Sequence, residues 1–134
     1  MSGVLVVGDV ITDVIVMPEG PMIRGSDRRA TIRSRPGGSG ANQAVWLGAL
    51  NVPVKFVSRV AAADLETNLA FFRSRGVEPI LIGDPDAPSG VLISIVDADG
   101  ERSFLTDRGA NLNLSAADLP PRLLDGIDLL QIGR

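Results

Sequence analysis

The stretch Gly37-Gly38-Ser39-Gly40-Ala41-Asn42-Gln43-Ala44 places three glycines immediately before and inside a predicted helix. The helical spacing of small and apolar residues, with Ser39 able to cap the first turn, predicts a helix from Ser39 to Asn51. A glycine-rich backbone lets a ligand approach closely, and the first turn of a helix presents free amides and the positive end of the helix dipole. The stretch therefore predicts a binding site for a polar ligand.

Two other glycine-rich motifs do not fit these residues. The dinucleotide fingerprint G-x-G-x-x-G fails because Gln43 occupies its third glycine position and because Arg33 to Pro36 is not a buried strand. A Walker A loop fails because no G-K-[ST] follows the glycines. Taken alone, the stretch is also compatible with a glycine-rich turn that only begins a structural helix.

Outside this stretch, apolar runs typical of buried strands alternate with helical patterns. The run Val4 to Val7 is continuous and ends at Gly8-Asp9, as expected of a strand buried on both faces of a sheet. Similar patterns predict two further strands and a second helix, at Val54 to Val57, Pro79 to Ile82 and Leu65 to Arg75. Alternating strands and helices of this kind predict a parallel sheet.

Four further segments predict strands outside this alternation, and segment 28–35 among them is predicted to be half-exposed. The apolar run 14–17 is stopped by a proline, and 28–35 alternates weakly between polar and apolar residues. Segments 90–96 and 102–107 flank the step Asp99-Gly100, which is a strong signal for a hairpin. An antiparallel hairpin is therefore expected beside the parallel layer.

The last part of the chain carries a predicted cap and a predicted strand. Ser115 and Asp118 have the spacing of a capping box for a short helix, and Asp128 to Ile132 predicts one more buried strand. A parallel strand needs a crossover and helices on its faces. We therefore expect the chain to be the first part of a longer fold, or to have lost its second part.

The composition excludes several classes of function. The 134 residues include neither cysteine nor histidine, which rules out a thiolate nucleophile, an imidazole base and a Cys/His zinc site. A formal net charge of -3 with scattered cations makes nucleic acid an unexpected partner. No signal peptide or membrane-spanning run is predicted, so a cytoplasmic protein without a membrane partner is expected.

Taken together, these segments resemble the PfkB/ribokinase family of carbohydrate kinases. The family's N-terminal signature, Gly-Gly-x-Gly-Ala-Asn-x-Ala, stands here as Gly37 to Ala44. Further matches in the same order are Gly8 with Asp13, the Val54 to Arg59 strand, the Ser89-Gly90 step, and Arg108-Gly109-Ala110-Asn111. Several ordered matches make the resemblance more specific than one glycine motif would.

The resemblance implies a ribokinase-like α/β fold. A central, mostly parallel sheet would be flanked by helices and would carry a small β-sheet lid that closes over a sugar. Residues 1–134 would form the N-terminal part of a single domain, with the C-terminal nucleotide-binding half missing. The lid strands are expected at about 14–17, 30–35, 90–96 and 102–107.

The resemblance also implies a site and a reaction, namely ATP-dependent phosphorylation of a sugar hydroxyl. Asp13 would accept hydrogen bonds from sugar hydroxyls, the Gly37-Gly38 pair would let the lid hinge, and Asn42 would contact the sugar. Ser39 and Arg108 complete the substrate-binding set that we expect, which contains no catalytic or metal-binding residue. ATP and Mg²⁺ would serve the complete enzyme, and neither is expected to be bound fully by this chain alone.

The same resemblance points to a homodimer formed through the lid strands. The contacts expected there involve Ile32, Ile93, Ile95 or Phe104. Lid strands that leave a central layer expose apolar side chains and unpaired edges, which favour a partner.

The chain departs from the family in ways that leave the substrate open. Ser39 replaces the lysine of ribokinases proper, Ile11 stands where they have a sugar-binding asparagine, and Gly133 falls where they have a glutamate. The Gly-Ala-Gly-Asp element, whose aspartate is the catalytic base, does not occur in the sequence, so the isolated chain is expected to be inactive. A non-catalytic carbohydrate-binding or assembly module and a generic nucleotide-binding domain stay open as alternatives.

Several of these residues also have simpler structural interpretations. Asp13 could merely end a strand, Asn42 could satisfy first-turn amides, and Arg108 could be solvated. Asp9 is expected to be a turn former rather than a ligand. Trp46, in the middle of the predicted helix, is expected in the core.

Overall fold

The computed structural model describes residues 3–133, which form two four-stranded sheets and two α-helices. The strands and helices, in chain order, are β1 Gly3–Val7, β2 Ile11–Pro18, β3 Ala30–Gly37, α1 Ser39–Ala49, β4 Val54–Ala61, α2 Leu65–Arg73, β5 Glu78–Asp84, β6 Gly90–Val96, β7 Arg102–Asp107 and β8 Ile127–Ile132. Short 3₁₀ turns occupy Ala62–Asp64, Gly109–Asn113 and Ala116–Asp118. None of the helices within residues 3–133 is long and apolar enough to cross a membrane.

The central sheet is parallel throughout and has the order β5-β4-β1-β8. Its middle strand β1 is buried at four of its five positions, which is why the sequence shows a continuous apolar run there instead of an alternation. The predicted parallel sheet is therefore confirmed, although β4 and β5 extend further than their apolar cores, to Ala61 and Asp84.

Alternate side chains of the central sheet pack against different layers. Val4, Val6 and Phe56 face α1 and α2, and the Phe56 ring lies 4.9 Å from that of Phe72. Leu5 and Val57 face the opposite side, where the segment after the lid supplies Leu123 and its neighbours. Burying one large apolar side chain contributes roughly 1.5–3 kcal/mol, so these two small cores hold the layers together.

The second sheet has the order β3-β2-β6-β7 and rises from the carboxyl edge of the first. Its β6–β7 hairpin turns at the predicted step, where Gly100 has φ 84° and the Asp97 amide donates to the Glu101 carbonyl. We call this sheet the lid. Its strands lie where they were predicted, but β2 begins at Ile11 and β3 continues to Gly37 because the ladder between them pairs every residue from one end to the other.

Two side-chain placements differ from expectation. Trp46 is 71% exposed, because the small residues Ala41 and Ala44 form the face of α1 that packs on the sheet and leave Trp46 on the outer face. Strand β8 forms beside β1 as predicted, yet Leu129 and Ile132 are 58% and 69% exposed, so within residues 3–133 it is not a buried strand.

Candidate functional site

Four chain crossings between the central sheet and the lid meet at the carboxyl end of β1. They are the links β1 to β2, β3 to α1, β5 to β6, and β7 to the turn Gly109–Asn113. Ligands of open parallel sheets bind at this edge. Every residue that the sequence singled out as substrate-binding lies at these crossings or on the lid strands beside them.

The glycine stretch adopts a conformation that only glycine tolerates. Gly38 precedes α1 with φ 99°, and a side chain there would collide with the Asp9 carbonyl oxygen. A Cβ on Gly40 would lie 2.7 Å from the Gly8 Cα, so α1 can approach β1 only because both residues are glycine. The helix begins at Ser39 as predicted and has no acidic residue and no side-chain cap in its first turn, which leaves its first amides available.

Asp13 lies on β2 with its carboxylate over Gly37, in the space that a Cβ at Gly37 would occupy. Its one ion-pair partner among residues 3–133 is Arg35, the residue opposite it on β3. The Arg35 Nε lies 3.7 Å from an Asp13 carboxylate oxygen, too far for a hydrogen bond. The Asp13 carboxylate, with 21% of the side chain exposed, therefore keeps acceptor capacity for a ligand.

Asn42 and Ser39 are both exposed on the first turns of α1. The Asn42 backbone amide donates to the Gly38 carbonyl, so its side chain is not needed to satisfy that amide. The first turn of α1 has no side-chain cap among the described residues, so the structure gives no support to Asn42 as a capping residue. Its role and that of Ser39 toward a sugar remain predictions.

Arg108 is engaged by a residue 99 positions away in the chain. Its Nε and Nη2 donate to the two oxygens of Asp9 over 2.6 and 2.8 Å, and Asp9 is only 4% exposed. The hydrogen bond that Arg108 donates to Asp9 raises the pKa of Arg108, an effect that burial partly opposes. Arg108 is thus not the solvated side chain that the sequence left open, and Asp9 is more than a turn former. A role of Arg108 as a substrate ligand stays a prediction.

Asn111 forms a second connection at the same crossing. Its Oδ1 accepts hydrogen bonds from the Val10 amide and the Ser58 hydroxyl, at 3.0 and 3.2 Å. Its Nδ2 donates to the carbonyls of Val10 and Arg108, at 2.9 and 2.7 Å. The amide thus pairs with both backbone groups of Val10 as a neighbouring strand would. We call the set Asp9, Val10, Arg108 and Asn111 the joint.

A third polar cluster fixes the link between β5 and the lid. Asp84 accepts hydrogen bonds from Asn113 and Arg59 on one oxygen and from the amides of Asp86 and Ala87 on the other. These hydrogen bonds, that of Asn113 first, hold the pKa of the Asp84 carboxyl well below its usual value. Arg59 also pairs with Asp118. No local sequence pattern pointed to this cluster, because its members come from four separate segments.

Asp118 takes part in the predicted capping box as well. Its carboxylate accepts hydrogen bonds from the Ser115 amide and hydroxyl, at 3.0 and 3.4 Å. The Ser115 amide, more than the nearby Arg59, lowers the pKa of the Asp118 carboxyl. The capping box is therefore confirmed, and it also anchors Arg59.

A cavity of about 640 Å³ opens between the lid, α1 and α2. Gly37, Asn42 and Arg35 line it together with apolar residues of the two helices, and Ser89 lies at its rim, where its hydroxyl donates to Asp64 over 2.6 Å. Thr12, which precedes Asp13 on β2, also lines it. Thr12 lies on the face of the lid opposite to Asp13, whereas Arg35 shares the face of Asp13, so the cavity borders both faces of the lid.

Comparisons with known proteins agree with this geometry. The family model described as pfkB family carbohydrate kinase matches residues 1–133. Aminoimidazole riboside kinase from Salmonella typhimurium is 34% identical over 125 residues, which are 90% of this chain and 36% of that protein. The chain thus spans little more than a third of the length of this curated relative.

Solved structures show the same fold at low identity. Ribokinase from Giardia lamblia superposes with a TM-score of 0.86 at 24% identity, over 98% of this chain and 41% of that one. The nucleoside kinase from Methanocaldococcus jannaschii gives a TM-score of 0.84 at 20% identity, over 100% and 46% of the two chains. The ribokinase-like fold expected from the sequence is therefore confirmed.

Proposed function

This chain belongs to the pfkB family of carbohydrate kinases, and we propose that it forms the sugar-binding and lid-bearing part of an ATP-dependent kinase that phosphorylates a sugar hydroxyl. One observation carries the proposal. The Asp13 carboxylate lies over Gly37 at the start of α1, with acceptor capacity that the described residues leave unused. A sugar is a ligand rich in hydroxyl donors, and a carboxylate offers about four acceptor sites for them.

The neighbouring groups suit the same ligand. The first amides of α1 can donate to sugar oxygens, and the Asn42 amide can both donate and accept. Gly37 lets the Asp13 carboxylate lie directly against the backbone where α1 begins. Gly38 stands at the one crossing where the lid strand β3 passes directly into α1, which supports a hinge at the Gly37-Gly38 pair.

The carboxylates that the structure describes at this edge are mostly unavailable to Mg²⁺. Three carboxylates at this edge, those of Asp9, Asp84 and Asp118, are each held by an arginine. A cluster of Asp97, Asp99 and Glu101 could approach a cation, but it is exposed at the turn of the β6–β7 hairpin, at the far end of the lid. We therefore assign sugar binding and lid closure to this chain and derive no phosphoryl step from it.

We also propose that the lid mediates a homodimer. The strand register places Ile32, Ile93 and Ile95 on one face of the lid, and Ile32 is 63% exposed. Phe104 is 58% exposed but pairs with Ser94, which puts it on the opposite face with Asp13. The apolar dimer surface therefore consists of the isoleucines. Light scattering that shows only monomer at high concentration would contradict it.

The test of the kinase proposal uses the protein expressed from its complete reading frame. We expect ADP formation that depends on a sugar from a panel assayed with ATP and Mg²⁺, and we expect the purified 134-residue chain to give none. Calorimetric sugar binding without phosphorylation by the complete protein would instead support a non-catalytic carbohydrate-binding module. Sugar-dependent ADP formation by the 134-residue chain alone would show that the chemistry lies within it.

A further inference from the structure

The two Asp–Arg pairs beside β1 differ in how completely they use their hydrogen-bonding groups. Asp9 and Arg108 face each other through two short hydrogen bonds, of 2.6 and 2.8 Å. Asp13 and Arg35 lie 3.7 Å apart, and the Arg35 side chain is 64% exposed. The contact of Arg35 runs through Nε, so both of its terminal nitrogens remain available for another partner.

The strand register fixes which cations accompany Asp13. Asp13 stands opposite Arg35, and Ile15 stands opposite Arg33, so both arginines lie on the Asp13 face of the lid. Ser34 and Ile32 alternate with them and lie on the other face. On β2 and β3, the Asp13 face of the lid thus carries one carboxylate and two guanidinium groups.

The carboxylate and the two guanidinium groups restrict which ligands can bind to this face. The Asp13 carboxylate accepts hydrogen bonds only, which suits sugar hydroxyls, whereas guanidinium groups donate only. A ligand that satisfies both must present hydroxyl donors and, a few ångströms away, a strong acceptor. The planar fork of arginine matches a carboxylate or a phosphate with two parallel hydrogen bonds.

We propose that Arg35 is a specificity residue that binds the acidic group of the substrate, so that the preferred sugar carries a carboxylate or a phosphate. The inference rests on the proposed function and names its substrate class. Arg108 does not serve this purpose, because two of its nitrogens already donate to Asp9. Arg59 does not either, because it lies between Asp84 and Asp118.

The experiment compares matched neutral and acidic sugars on the complete protein. D-ribose is paired with D-ribonate for the carboxylate, and D-fructose with D-fructose 6-phosphate for the phosphate. Wild type is assayed beside Arg35→Gln, Arg35→Lys and the control Arg24→Gln, which removes the same charge from an exposed arginine in the loop between β2 and β3. Both kcat and KM are measured, and binding is followed by calorimetry.

We expect wild type to prefer one acidic sugar over its neutral partner, and the arm that responds identifies carboxylate or phosphate. Arg35→Gln should lower kcat/KM for that sugar by about 10- to 100-fold, mainly through KM, as for a lost charge-assisted pair of hydrogen bonds. Its effect on the neutral partner should stay within about 3-fold, as should that of Arg24→Gln on both. Arg35→Lys should restore part of the loss, since it keeps the charge without the fork.

Two results would overturn the inference while leaving the kinase intact. One is phosphorylation of neutral sugars with no preference for an acidic partner. The other is an equal loss on neutral and acidic sugars in Arg35→Gln, which would indicate a structural role. If no sugar is phosphorylated, the proposed function fails, and calorimetry with the same pairs still decides whether Arg35 binds the acidic group.

Discussion

The joint and the Asp13 face of the lid both pair an aspartate with an arginine, but the two pairs serve opposite purposes. In the joint, Asp9 and Arg108 are saturated by each other, and Asn111 uses both ends of its amide on neighbouring groups. On the lid, the Arg35 Nε and the Asp13 carboxylate lie 3.7 Å apart, and both side chains keep hydrogen-bonding groups for another partner. A polar group stabilises the fold when its partners are internal, and it can serve a ligand when they are not. Changes at the two places should therefore separate stability from binding.

The largest effect is expected in Asn111→Ala. The change leaves the amide and carbonyl of Val10 and the Ser58 hydroxyl without their partner in a buried place. Each unsatisfied group costs about 1–3 kcal/mol, so the free energy of unfolding should fall by about 4 kcal/mol. Urea unfolding measures it, with Asn68→Ala as the control, because Asn68 makes one exposed hydrogen bond. A loss below about 1 kcal/mol would show that the hydrogen bonds of Asn111 do not hold the joint together.

Arg108→Met should come next, with a loss of about 3 kcal/mol in the free energy of unfolding. It removes two charge-assisted hydrogen bonds and leaves the buried Asp9 carboxylate unpaired. The same unfolding measurement applies, and Arg102→Met is the control because Arg102 is exposed on β7. Unchanged stability together with weaker sugar binding would instead make Arg108 a substrate ligand, as the family resemblance implies.

Asp13→Asn is expected to weaken sugar binding and to leave stability almost unchanged, which is the opposite of the two variants above. The variant keeps the shape of the side chain but loses the charge, so sugar binding should weaken by about 2 kcal/mol, roughly 30-fold in Kd. Because Asp13 contacts its partner at 3.7 Å, the free energy of unfolding should change by less than about 0.5 kcal/mol. Calorimetry and urea unfolding are run on one preparation. Unchanged Kd would remove Asp13 from the site.

The last prediction concerns the pH dependence that Asp84 gives to the stability of the fold. Hydrogen bonds from Asn113 and Arg59 hold its pKa in the folded protein below the ordinary value of 3.8. Its contribution to stability is therefore fully present above about pH 4 and is lost as the pH falls toward the folded pKa. The free energies of unfolding of wild type and Asp84→Asn should therefore move closer together as the pH is lowered from about 4 to about 2. A constant difference across that range would contradict this origin.

Sequence patterns predicted the elements better than the contacts between them. The apolar run of β1 and the Asp-Gly step of the hairpin are local signals, and both elements form where predicted. The pairing of Asp9 with Arg108 spans 99 residues and depends on the lid topology, so no local pattern contains it. The partnership of Arg35 with Asp13 depends on the β2–β3 register, since a slip of one residue would place Ser34 there instead.

At the Gly37-Gly38 hinge, the structure adds an effect on stability to the effect on turnover. If Gly38 served only as a hinge, Gly38→Val would impair turnover and leave the fold nearly intact. In the structure, φ is 99° at Gly38, and a side chain there meets the Asp9 carbonyl within the joint. We therefore expect Gly38→Val to lower stability as well, because the hinge and the joint share this contact.

The chain separation across the joint also bears on the order in which the protein is assembled during synthesis. Val10 and Asp9 leave the ribosome about a hundred residues before Arg108 and Asn111, the partners that secure them. Until β6 is made, β2 and β3 are a hairpin without their inner neighbour, and short isolated hairpins are marginally stable. Closing so long a loop is slow compared with forming local pairs. During synthesis the lid sheet therefore stays incomplete until its last strands are made. In that interval its apolar face is exposed and can associate with other unfolded chains.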